Sequence, residues 1–151
     1  MADPENSAFL DGWALDTSDH TTGLPSRIEG IGRPRIEPSF IGGVIDDMVR
    51  VPDAASIATM RWLSARMGRR VGASTGTNVW AALGVVRDLA AAGERGSVVS
   101  LLCDSGERYL STYYDDAWVA AQGLDLAPYA AALADYDRTG TLVDPLPPGP
   151  A

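Results

Sequence analysis

The stretch "RRVGASTGTNVW" places Gly72 and Gly76 around Ser74 and Thr75, just before an apolar segment. A small polar elbow between a strand and a helix has two uses. In an open parallel sheet, ligands sit beyond the carboxyl ends of the strands, where a serine can hydrogen-bond them and glycines let backbone approach. Alternatively, Ser74 or Thr75 caps the next helix and satisfies its free N–H groups. Spacing alone favours the cap. A second candidate is "SRIEGIGRPRIEP", in which Gly30 and Gly32 bracket Ile31. It lacks the strand before and the helix after that a dinucleotide fingerprint requires, so by itself it reads as a turn. Arg33 and Arg35 could hold an anion there or be solvated. In "LLCDSGERY", Cys103, Asp104 and Ser105 follow an apolar run and precede Gly106. No acid or histidine spacing makes Cys103 a nucleophile, and a single cysteine is ordinarily a small core residue. His20 has no companion ligands, so no metal site is expected.

One exclusion is firm. All 12 basic residues are arginine and the chain contains no lysine. A Schiff base on a side-chain amine therefore cannot form within this chain. No catalytic residue is assigned to it.

The elements that would position these residues follow from periodicity. Met48 to Val51 alternates as a short strand closed by Pro52, and Asp53 is placed to cap the following helix. Ile57, Met60, Leu63 and Met67 form a helical stripe, and Gly68 suits a left-handed stop. "RRVGA" is a short strand at most. Val79 to Ala92 is apolar nearly all round and is expected to be a helix buried on more than one side. Ser97 to Leu102, "SVVSLL", reads as a buried parallel strand. Helices are expected over Glu107 to Tyr114, Asp116 to Gln122 and Pro128 to Tyr136. Ser7 to Pro38 shows no sustained period, which suggests a functional loop or linker, with disorder as the alternative. The opening residues read as the continuation of something, and the tail "DPLPPGPA" as disordered. The alternation predicts an α/β fold, a partial and mostly parallel sheet with flanking helices. Three strands are few for such a sheet, so missing strands or a partner that supplies them are expected.

Length and composition set outer limits. The 151 residues fit one domain or part of a larger one, and 46% are hydrophobic, enough for a core. The net charge of −8 argues against nucleic acid and anionic membranes as partners. No apolar run reaches the ~18 residues of a spanning helix. One cysteine fits a reducing cytoplasm.

Taken in order, four segments resemble the C-terminal half of fold type II pyridoxal-phosphate enzymes of the cysteine synthase and cystathionine β-synthase family. They are "DPENSAF", "RIEGIGRPRIEP", "VGASTGTN" and "CDSGERYLSTYYDDAW". The wording of "SRIEGIGRPRIEPSF" and "LLCDSGERY" resembles the actinobacterial L-cysteine desulfhydrases in particular. The resemblance implies that residues 1–139 form the C-terminal portion of such a domain and 140–151 a disordered tail. It implies pyridoxal 5'-phosphate as cofactor, with Ser74 as hydrogen-bond partner of the pyridine nitrogen. Gly30 and Ile31 would lie against the cofactor and Gly32 on the substrate side. A neutral hydroxyl does not enforce a protonated ring, which makes a milder electron sink suited to β-elimination.

The departures matter equally. The family's Schiff-base lysine, substrate-carboxylate loop and phosphate clamp belong to its N-terminal half, and none is in this chain. By itself the chain is expected to be inactive. The implied reaction of the complete enzyme is conversion of L-cysteine to pyruvate, ammonia and sulfide. Cysteine formation from O-acetylserine is the near alternative. The N-terminal half or another copy would be the protein partner. A non-catalytic remnant or binding module is the competing reading, although an exposed sheet edge would put it at risk of aggregation.

Overall fold

The computed structural model describes residues 1–145; most of the expected disordered tail, residues 146–151, lies outside them. Two short strands, β1 (Ala2–Pro4) and β2 (Val49–Val51), pair in parallel with Ala2 opposite Val49 and Pro4 opposite Val51. The described residues also form five helices: α1 (Phe9–Ala14), α2 (Asp53–Met67), α3 (Ala73–Ala91), α4 (Asp116–Ala121) and α5 (Ala127–Thr139). The fold is α/β, with a small parallel sheet and flanking helices, as expected.

The start of the chain is more ordered than its composition suggests. Asp3 is buried and its Oδ2 accepts the Leu10 N–H at 2.9 Å, holding the first turn of α1. Arg50 of β2 reaches Asp3 at 3.2 Å and Asp11 at 2.9 Å, tying α1 to the sheet. Burial raises the Asp3 pKa, while bonds from Ser7 and Leu10 and the Arg50 charge pull against it. Asp3 and Ser7 of the "DPENS" segment therefore have structural work that sequence reading missed. The Ser7 to Pro38 segment is not simply a linker: it carries α1, and its Ile28 is fully buried.

The first two turns of α2, Asp53 to Met60, are buried on every side. Ala54, Ala55 and Ala58 face a cluster with Val51, Trp80, Tyr129 and Leu133. Ile57 and Met60 face a second cluster with Ile28, Val71, Tyr109 and Tyr113. Small side chains let α3 come close: the Thr77 hydroxyl donates to Ser56 Oγ at 2.8 Å, and Ser56 Oγ donates to the Pro52 carbonyl. The helix stops at Gly68, whose φ of +64° is the expected left-handed cap. Helix α5 ends the same way at Gly140, and Leu142 beyond it is still buried.

Four local expectations are corrected. Helix α3 buries its N-terminal part, Ala73 to Thr77 and Trp80, but not both sides throughout, for Val85 is 47% exposed. The run 97–102 is not a strand, and Val99 is 90% exposed. Its β-type composition needs a neighbouring backbone to pair with. Instead, Val98, Val99 and Leu101 face Met1, Ala2 and Val49 across an open groove of about 400 Å3. The segment expected as a helix over 107–114 begins as one 3-10 turn, Gly106–Tyr109, and continues as a tight turn. Finally, Asp53 does not cap α2: Pro52 occupies the cap position and no side-chain cap bond forms.

Candidate functional site

The elbow at residues 72–76 is built by strapping the entry of α3 onto residues 103–106. Gly72 donates its N–H to the Asp104 carbonyl at 3.0 Å, and Gly106 donates to the Arg70 carbonyl at 3.1 Å. Val71 bridges Ser105, and its N–H reaches both Ser64 Oγ and the Tyr114 hydroxyl. Gly72 is required because a Cβ there would overlap the Asp104 carboxylate. Asp104 in turn accepts the Tyr109 hydroxyl at 2.5 Å. Burial, followed by this bond, pushes the Tyr109 phenol above its ordinary range, so it stays a donor.

At this helix start the two hydroxyls separate. Thr75 Oγ1 accepts the Cys103 N–H at 2.9 Å and is fully buried. Ser74 is 5% exposed and its side chain makes no hydrogen bond among the described residues. Gly72 is the cap residue and receives no side-chain cap bond. The capping alternative for Ser74 or Thr75 is therefore not realised. Gly76 does not admit a ligand either, since its open face is filled by the Ser56 carbonyl of α2.

The Thr75 bond makes a direct prediction. Thr75→Val keeps the shape and removes the acceptor, leaving the Cys103 N–H unpaired. Stability should fall by about 1–2 kcal/mol. Hydrogen exchange at the Cys103 amide should rise well beyond that at Gly72, and equal protection in both proteins would contradict the tether.

The 26–32 loop arrives from the other side. Tyr113 donates its hydroxyl to the Arg27 carbonyl at 2.6 Å and accepts the Glu29 N–H at 3.0 Å. Ile31 packs partly buried against the second cluster. Gly30 has φ of +91° and a Cβ there would meet nothing within 4 Å, so this glycine opens onto free space. Gly32, at φ of +74°, differs: a Cβ there would strike Ser26 and Pro4, so its small size is needed for packing. The Arg33 guanidinium donates to the Gly32 carbonyl at 2.9 Å, and Arg35 pairs with Glu37 at 3.4 Å.

Gly30, Ile31 and Gly32 line one wall of a cavity of about 440 Å3, and Phe9, Asn78 and Cys103 line others. Ser74 does not line it but lies one turn before Asn78 on α3. Cys103 is not a core residue as expected: it is exposed, with Sγ 3.5 Å from Asn78 Nδ2. Asn78 is a lining residue that sequence reading passed over; its i+4 spacing from Ser74 on a helix was the available signal. Around this cavity the chain offers backbone, apolar walls, the Asn78 amide, the Cys103 thiol, the Ser39 hydroxyl and the charged Arg33, Glu37 and Asp3, with no lysine among the lining residues. Such a surface can hold and orient a ligand, but no side chain in it can form a covalent imine.

No family model matches the chain. Among characterised proteins, it is 57% identical over 139 residues to the L-cysteine desulfhydrase Cds1 of Mycobacterium tuberculosis, covering 92% of this chain and 38% of that protein. It is 34% identical to cysteine synthase 2 of Emericella nidulans, over 78% of this chain and 29% of that protein. Among solved structures, O-ureido-L-serine synthase superposes with a TM-score of 0.57 at 31% identity, over 78% of this chain and 36% of that one. A mutant of that synthase bound to O-ureido-L-serine superposes with a TM-score of 0.56 at 30% identity, covering 82% and 37%. The chain thus spans about two-fifths or less of the length of the relatives it matches.

Proposed function

We propose, from the premise that this chain shares sequence and fold with part of the fold type II pyridoxal-phosphate enzymes of the cysteine synthase group, that it forms the pyridine-side wall of such an active site. The observation that carries the reading is Ser74: a hydroxyl at a helix start, 5% exposed, capping nothing and bonded to nothing among the described residues. Ser74 Oγ is not among the described buried polar atoms that lack a partner, so the small exposed part of this residue leaves its hydroxyl open to a ligand. A pyridine nitrogen is an acceptor that a serine hydroxyl can satisfy.

The remaining residues fit the same group. Gly30, with open space where a side chain would stand, and Ile31 give a flat backbone surface for a ring. Gly32 holds the substrate end of that loop against Ser26 and Pro4. Bound pyridoxal phosphate supplies the electron sink for removing the α-proton and the β-substituent of an amino acid. This chain orients the ring through Ser74 and excludes water from one face. The lysine must come from another polypeptide segment, because none is present here. We assign the assembled activity to L-cysteine, cleaved to pyruvate, ammonia and sulfide, in the cytoplasm. The second reading, β-replacement on O-acetylserine, is favoured by the likeness to cysteine synthase 2 and rests on the same residues.

The test is reconstitution. This chain is co-expressed with the part of the mycobacterial relative that it does not match, and cofactor binding is followed by absorption and fluorescence. Ser74→Ala should weaken binding about tenfold, as for one lost hydrogen bond of ~1.4 kcal/mol, and shift the spectrum. An unchanged affinity and spectrum would remove Ser74 from the site.

A further inference from the structure

The start of α2 holds a carboxylate that none of these roles uses. The Asp53 side chain is fully buried, and neither Oδ1 nor Oδ2 has a hydrogen-bond partner among the described residues. Its cation is Arg27, whose Nη1 stands 3.8 Å away, beyond hydrogen-bond range, on a side chain 43% exposed. The other neighbour has the same sign. Glu5 Oε2 accepts the Asp53 backbone N–H at 3.3 Å, and its carboxyl lies within reach of the Asp53 carboxyl.

The titratable and charged groups facing Asp53 thus come from three segments. Glu5 follows β1, Arg27 belongs to the 26–32 loop, and Tyr113 lies in the turn before α4. Tyr113 feels the Asp53 charge while its hydroxyl holds the Arg27 carbonyl, and Tyr129 of α5 feels Glu5. A fully buried carboxyl with no hydrogen-bond partner, its one cation 3.8 Å away, is costly to ionise.

We propose that Asp53 keeps its proton in the folded chain, and that releasing it draws the Arg27 guanidinium inward, so that the Arg27 side chain clamps the start of α2 only when Asp53 is ionised. The proton passes to solvent, and the change otherwise exchanges one O–H for one ion pair. Burial first, and the Glu5 charge second, hold the proton on Asp53, while Arg27 opposes them. The Tyr113 bonds hold only the Arg27 carbonyl and the Glu29 N–H, so the switch acts on the Arg27 side chain and on the loop residues beyond Glu29. This holds whether or not the loop faces a ligand.

The experiment is a carbon-detected NMR titration of the full chain between pH 5 and 9. It follows the carboxyl carbons of Asp53 and Glu5, Arg27 Nε, and the amides of Gly30 and Gly32. Asp53 should titrate about two or more pH units above an exposed aspartate. Arg27 Nε and both glycine amides should move with the same midpoint. Glu5→Gln should lower that midpoint by about one unit, with the loop signals following it. Asp53→Asn should abolish their response; if that variant fails to fold, Glu5→Gln decides alone. Titration of Asp53 in the ordinary carboxylate range, or a raised midpoint that leaves Arg27 and both glycines unmoved, overturns the proposal.

Discussion

Gly76→Ala is expected to destabilise the fold by about 3 kcal/mol or more, the upper end for overpacking a close-packed interior. A Cβ at residue 76 would overlap the Ser56 carbonyl oxygen and lie 2.9 Å from the Met60 nitrogen. Both are backbone atoms within a helix, so neither can rotate away. Relief requires α3 to move off α2, and this interface contains the buried Thr77–Ser56 bond and the start of both clusters. Gly84→Ala on the same helix is the control. A Cβ there meets nothing within 4 Å, so the exchange should stabilise by about 0.5–1 kcal/mol through helix propensity. Urea denaturation followed by circular dichroism compares the two. If both alanines raised the midpoint, the close crossing of α2 and α3 would be wrong.

The second large effect is a pH dependence of stability. Burial and then the adjacent Glu5 charge raise Asp53 from 3.8 to about 7 in the folded chain, with Arg27 opposing. The folded state therefore binds a proton that the unfolded state has already released between those values. For a raised carboxyl the stability contribution is full below the unfolded value, declines as pH rises towards 7, and is lost above it. At 1.36 kcal/mol per unit, the loss across this window is of the order of 4 kcal/mol. Asp53→Asn removes the charge while keeping the shape. Its Arg27 neighbour is half-exposed and stays hydrated without a partner. The mutant's advantage over the wild type should grow by about 2–3 kcal/mol between pH 5 and pH 8. Urea midpoints at those two pH values give the difference directly, and a constant difference would mean that Asp53 ionises normally in the folded protein. The comparison is independent of any cofactor, so it bears on the buried Asp53 and not on the role of Ser74.

Much of the helical architecture was legible because it rests on neighbours along the chain. Gly68 ends α2 by adopting a left-handed conformation, and Asp115 caps α4 by accepting the Ala117 N–H. The misreadings share one cause. "SVVSLL" has the composition of a buried strand, yet strand pairing depends on a partner backbone remote in sequence. The alanine- and serine-rich start of α2 gives no strong apolar stripe, although it is the most enclosed helix segment. Its burial comes from close approach by small residues, which periodicity does not register. Asp53 after Pro52 looks like a helix cap, and only the surrounding Glu5 and Arg27, both remote in the chain, show a buried acid.

The candidate site divides in the same way. The sequence by itself determined what chemistry this chain cannot do, since no arrangement of twelve arginines and no lysine yields a side-chain imine. It also determined the order of the segments that carry the family likeness and the local stops of the helices. Only the tertiary structure decided which hydroxyl of the elbow is occupied, with Thr75 tethered to Cys103 and Ser74 left without a partner. It alone showed that Gly76 serves the α2 contact, and that Gly30 opens onto a cavity shared with Asn78 and Cys103. The physical reason is range: covalent capability and capping belong to residue type and near neighbours, whereas burial, hydrogen-bond occupancy and shared cavities depend on groups brought together by folding.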